Sequence, residues 1–145
     1  MVGVVIVTHY RLGDEFLQAL RLIVPDAPAF AAVSIEPKQS IEEMREAIAQ
    51  GLRAADDGDG VLVLTDMFGG TPSNMSLSFH DEHRVEVVTG MNLPMLIKLA
   101  TLREPKPLEE LARFVKDYGR RNISVASELV PAGRADASKD EGPPR

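Results

Sequence analysis

Three runs of β-branched and aliphatic residues, Val2 to Val7, Val61 to Leu64 and Val85 to Val88, constrain the fold of this chain more than any other feature. A weaker run spans Phe30 to Ile35. Strands that are apolar throughout, rather than alternating, need cover on both faces, as in a parallel sheet held between helices. The intervening segments have helical spacing. Phe16, Leu20, Ile23 and Val24 fall at i, i+4, i+7 and i+8, and Pro25 closes that stripe. Ser40 and Glu43 form a capping-box pattern ahead of Ile41, Met44, Ile48 and Leu52, which share a face. Gly58-Asp59-Gly60 supplies the turn into the third strand. A last helix is expected from Leu108 to Tyr118 with Gly119 as its C-cap, followed by a short alternating stretch, Ile123 to Leu129. The order β-α-β-α-β-α-β-α-α-β predicts an α/β protein. The expected architecture is a three-layer α/β/α sandwich whose sheet is mainly parallel, with the final strand antiparallel at an edge.

Size and composition fit this reading. The 145 residues, 44% hydrophobic and 26% charged, support one domain over residues 1–130 with a complete core. Residues 131–145, PAGRADASKDEGPPR, read as a disordered tail, because they offer too little apolar surface to order themselves. There is no cysteine, hence no disulfide framework, thiolate metal site or cysteine nucleophile. The net charge of −6 argues against a nucleic-acid partner, which needs a basic face. The Val4 to Val7 run has no basic leader or cleavage site and is too short to span a bilayer, so a cytoplasmic protein is expected.

In an open parallel sheet, ligands bind at the loops that follow the carboxyl ends of strands. Three such loops are polar and rich in turn residues. They are Thr8-His9-Tyr10, the segment Thr65 to Asn74, and Gly90-Met91-Asn92-Leu93-Pro94-Met95. The residue type of His9 matters, because imidazole is nucleophilic as the neutral base near physiological pH. Position alone leaves it either a nucleophile or a histidine that merely closes a strand. Asp66 is either a turn residue or the carboxylate that fixes the imidazole tautomer and stabilises the cationic ring formed on phosphorylation. Gly69-Gly70-Thr71-Pro72 reads as an ordinary tight loop into a helix or as a phosphoryl cradle. In both readings Thr71 is the N-cap, and a helix start presents N–H groups to an anion. Asn92 and Pro94 repeat that helix-opening pattern. No Walker-type or dinucleotide-binding glycine motif occurs, so direct use of ATP is not expected. His80 and His83 lie in a polar connection without companion ligands, and no metal site is expected.

The segments Thr8-His9, Leu64 to Asn74 and Gly90 to Met95 resemble the IIA component of mannose-family phosphotransferase systems, a likeness that runs from Met1 to about Leu129. The resemblance implies that His9 takes phosphate from the phosphohistidine of the small carrier HPr and passes it to a IIB partner, with Asp66 paired to the imidazole. Gly69, Gly70 and Thr71 would line the phosphoryl pocket, with Phe68 as a wall and Asn92 on its border. No cofactor or metal is implied. Members form homodimers by exchanging the edge strand, here Ile123 to Ser127. Tyr10 departs from the family pattern, in which many members carry glycine after the histidine, and it bears on which partner docks. Transport members often continue through a linker into a IIB domain, whereas a chain ending at Arg145 is expected to stand alone. A regulatory phosphorelay, or a role akin to the dihydroxyacetone-kinase phosphodonor subunit, therefore suits it as well as sugar uptake does. The alternatives are a regulatory module that senses phosphorylation state or a small ligand without passing phosphate on, and a metal-dependent hydrolase using His9 and Asp66.

Overall fold

The computed structural model describes residues 1–130 apart from Glu82, so the expected tail lies outside the described residues. Four strands, β1 (Gly3–His9), β2 (Ala31–Ile35), β3 (Val61–Thr65) and β4 (Val85–Thr89), form one parallel sheet in the order β2-β1-β3-β4. The helices are α1 (Leu12–Ile23), α2 (Ile41–Ala55), α3 (Thr71–Leu77), α4 (Leu93–Thr101) and α5 (Leu108–Arg121).

Each central strand is apolar on both faces because each face has its own core. Val4, Ile6, Leu62 and Leu64 pack against Leu17 and Leu20 of α1, Met95, Leu96 and Leu99 of α4, and Leu111 and Val115 of α5. Val5, Val7, Val61 and Val63 point the other way, onto Met44, Ile48 and Leu52 of α2 and onto Phe79 beyond α3. This period-two split of a continuously apolar strand builds the α/β/α sandwich. It also places the site. From β1 the chain leaves toward β2 by way of α1 on one face, and from β3 it leaves toward β4 by way of α3 on the other. The adjacent ends of β1 and β3 are thus a topological switch point, where a crevice opens.

Three expectations on the elements need correction. The stretch Ile123 to Leu129 is not a strand, and its last four residues form a 3-10 helix, Ala126–Leu129, with Glu128 N–H donating to Val125 O at 2.9 Å. Among the described residues no strand pairs with it, and a lone strand would leave its backbone groups without partners. Its apolar side chains face solvent, Ile123 at 75% and Val125 at 61% exposure. Gly119 is not a C-cap but lies inside α5, which ends at Arg121 with Asn122 as C-cap. A Cβ on Gly119 would come within 2.5 Å of Met95 Sδ, so a side chain here would have to displace the buried Met95 where α5 packs on α4. Thr71 is the first residue of α3, and Gly70 stands at the N-cap.

Candidate functional site

His9 ends β1, and its surroundings begin with Thr8. That side chain is fully buried, and its hydroxyl accepts from Gly13 N–H at 2.9 Å, latching the strand end to the first turn of α1. Between them the chain turns through Tyr10, whose φ of +47° is the one positive value at a non-glycine residue among the described residues. Such a conformation costs an aromatic residue about 1–2 kcal/mol. The turn is held regardless, because Tyr10 N–H donates to Ile35 O at 2.8 Å.

Asp66 follows β3, the neighbour of β1, and its Oδ2 receives two contacts from His9. The backbone N–H of His9 donates to it at 3.0 Å, and Nδ1 lies 2.8 Å away. A carboxylate accepts, so in the neutral imidazole this contact suits the tautomer with its proton on Nδ1 and its lone pair on Nε2. The carboxylate side chain is 13% exposed and the imidazole 40%, so the pair is anchored on the inside and open on the outside.

The free edge of the ring faces the loop after β3. A Cβ built on Gly70 would lie 2.7 Å from His9 Cε1 and 3.1 Å from Nε2, so a side chain there would have to displace the ring. Gly69 turns the loop at φ +85°. No side chain caps α3, whose first residues are Thr71 and Pro72, so the amide groups of its first turn lack a side-chain acceptor. The two buried side-chain oxygens without a hydrogen-bond partner among the described residues, Asp66 Oδ1 and Ser73 Oγ, both belong to this segment. Phe68, at 72% exposure, stands on the same loop with the exposed Met67.

The structure thus brings His9, Asp66 and Gly70 together, with Gly69, Thr71 and Phe68 on the same loop. Asn92 is differently occupied. Its Oδ1 accepts from Met95 N–H at 3.2 Å as the cap of α4, and its Nδ2 donates to Gly119 O of α5 at 3.0 Å. The loop that carries it is tied to β3 by Met91 N–H donating to Thr65 O at 3.0 Å. His80 lies apart, 3.5 Å from Glu86 Oε1, and His83 stacks at a tilt on Phe79. Among the described residues no group of three or more His, Cys, Asp and Glu is placed to hold a metal. Sequence reasoning missed the left-handed Tyr10, the Thr8 latch and the orphaned Ser73 hydroxyl. A bulky residue squeezed between a strand end and a helix start is the only sequence hint of the first, and the other two have none.

Residues 3–116 match the family described as the PTS system fructose IIA component, EIIA-man. The chain belongs to this family. It is 29% identical to the fructose-specific EIIA component of Bacillus subtilis (strain 168), over 97% of this chain and 99% of that protein. It is 27% identical to the mannose-specific EIIAB component of Escherichia coli (strain K12), over 95% of this chain but only 45% of that longer protein. Among solved structures, the mannose/sorbose-specific IIA subunit from Enterococcus faecalis superposes with a TM-score of 0.80 at 25% identity, over 93% of this chain and 98% of the other. The phosphotransferase-system component EIIA from Streptococcus agalactiae gives 0.79 at 27% identity, over 88% of this chain and 99% of its own. Membership of this family makes the chain a component of phosphoryl transfer in sugar uptake. No helix among the described residues is long and apolar enough to cross a membrane.

Proposed function

We propose that the protein is a cytoplasmic phosphocarrier which accepts a phosphoryl group on His9 Nε2 from phosphorylated HPr and passes it to a IIB protein or another acceptor. The observation that carries this reading is the 2.8 Å contact between His9 Nδ1 and Asp66 Oδ2, with Nε2 turned toward the Gly70 loop. In the transfer the Nε2 lone pair attacks phosphorus. The bond from phosphorus to the donor nitrogen breaks, and its electron pair stays on the donor imidazole. The proton on His9 Nδ1 does not leave. The ring becomes a phosphorylated imidazolium, and the Asp66 carboxylate stabilises the positive charge. Phosphoryl transfer asks little covalent help of a protein beyond alignment and charge stabilisation. Here backbone N–H groups of Gly69, Gly70 and Thr71 would bind the equatorial oxygens, Phe68 would wall the pocket, and the Asn92 loop would border it.

The reading includes a homodimer. Among the described residues no strand pairs with the outer edge of β4, and the exposed Ile123 to Ser127 segment has the alternation of a strand, which suits pairing with β4 of a second copy.

Incubation with phosphorylated HPr is expected to give an acid-labile adduct that the His9→Ala variant lacks. Wild-type protein left unmodified would overturn the reading.

A further inference from the structure

The turn that follows His9 holds Tyr10 in the left-handed region, which glycine adopts freely and an aromatic residue does not. Strain of this kind persists when something else benefits from it. Interior packing does not benefit here, because Tyr10 is 57% exposed. Among the described residues its hydroxyl has no hydrogen-bond partner and its ring no aromatic or cationic neighbour. The turn therefore spends strain to hold an aromatic ring in solvent, one residue from the nucleophile.

The surroundings indicate what the ring is for. Leu12, at the start of α1, and Met67 and Phe68, on the loop after β3, are also exposed, and with Tyr10 they follow the two strand ends that carry His9 and Asp66. This apolar rim sits on a chain of net charge −6, which must admit an anionic phosphoryl group. Arg11, between Tyr10 and Leu12, is paired with Asp14 at 3.2 Å, so the rim carries no unbalanced negative charge; a phosphorylated protein approaches it without repulsion, and burial of the apolar side chains then supplies affinity. Tyrosine is among the residues that most often anchor such interfaces.

We infer that Tyr10 is a specificity-determining residue for the phosphoryl exchange. Its ring docks on the apolar surface around the phosphoryl site of a partner phosphocarrier protein and takes no part in the chemistry at His9. The inference rests on the carrier reading of His9. It adds that recognition of the protein partner is separable from the transfer step.

The test compares two phosphoryl donors. Phosphorylated HPr must dock. Phosphoramidate has no surface to dock, and its N–P bond breaks to release ammonia as the bond to Nε2 forms. For Tyr10→Gly the ratio of the HPr rate to the phosphoramidate rate is expected to fall at least tenfold, with the loss mainly in the KM for the protein donor. Tyr10→Asn, which tolerates the left-handed region, removes the ring by a second route and should show the same fall. Tyr10→Phe should stay within about threefold of wild type, because the hydroxyl has no partner to lose. A ratio unchanged in both ring-deleted variants overturns the inference while the carrier reading stands. Wild-type protein that reacts with neither donor overturns the carrier reading, and this inference with it.

Discussion

The loops after β3 and β4 carry the same local pattern, a glycine turn, a polar residue and a proline that opens a helix, yet they close in opposite ways. After β4, Asn92 caps α4, holds α5 by the Gly119 carbonyl, and leaves little polar capacity unspent. After β3, Gly70 stands at the N-cap with no side chain to offer, α3 starts uncapped, and the buried Asp66 Oδ1 and Ser73 Oγ lack partners. One loop is a structural joint, and the other keeps donors and acceptors in reserve beside His9. An uncapped helix start costs stability, and such costs gather where a ligand is to be bound. Two glycines show the same contrast. Gly119 is small so that α5 can lie on Met95, and Gly70 is small so that a loop can lie on an imidazole.

Variants of each loop can break this contrast or sharpen it. The largest effect is expected from Asp66→Asn, which removes the anionic acceptor of Nδ1–H. Phosphoryl uptake from phosphorylated HPr should slow by about 10²-fold or more, with the thermal transition still cooperative. Equal rates for this variant and wild type would take Asp66 out of the reaction. Next is Gly70→Ala, whose methyl group must displace the ring. A slowing of about 10²-fold is expected from an Å-scale misplacement of the His9 imidazole, read in the same assay. If uptake were unchanged, the loop would not be part of the site.

Asn92→Ala is the counterpart on the other side. It should lower stability by about 1–2 kcal/mol in urea titration through loss of the cap and of the bond to Gly119. Uptake per folded molecule should drop less than threefold. A larger drop would show that the second loop works in the chemistry and not only in the frame. The smallest effect concerns α2, whose cap is reciprocal between Ser40 and Glu43. Ser40 N–H donates to Glu43 Oε1 at 2.8 Å, and Glu43 N–H donates to Ser40 Oγ at 3.0 Å. The backbone hydrogen bond from Ser40, and then its side chain, hold the Glu43 carboxyl below its ordinary value of 4.5. A depressed folded-state value means that this contribution is full above pH 4.5 and fades as the pH falls through the lower folded value. Glu43→Gln, which removes the carboxylate that accepts from Ser40, should therefore lower the melting temperature slightly at pH 7 and by less near pH 3. A difference that grew on acidification would reverse the sign of that linkage.

Legibility in the sequence followed how local the governing physics was. The four strands and α2 could be read directly, since continuous apolar runs and a capping box are written in neighbouring residues. The final strand could not. Alternation at Ile123 to Leu129 describes side chains suited to an edge, but a strand exists only where another strand accepts its hydrogen bonds. Gly119 looked like a helix end because glycine after an apolar stripe usually is one, whereas a contact with α4 made it a packing residue. At the site, His9 and Asp66 were both visible as strand-end residues, and their 57-residue separation concealed that one oxygen serves both the backbone and the ring.

By itself, then, the sequence determined the layers of the sheet, the loops on which chemistry could sit and the kind of group, an imidazole, that could carry it. Periodicity, turn chemistry and residue type are properties of short segments. Only the tertiary structure decided that β1 and β3 are neighbours, which brings His9 within 2.8 Å of Asp66. It also decided that Gly70 abuts the free edge of the ring and that Tyr10 stands strained in solvent beside it. These depend on strand order and on how a turn is pinned from both sides, and no stretch of neighbouring residues encodes either one.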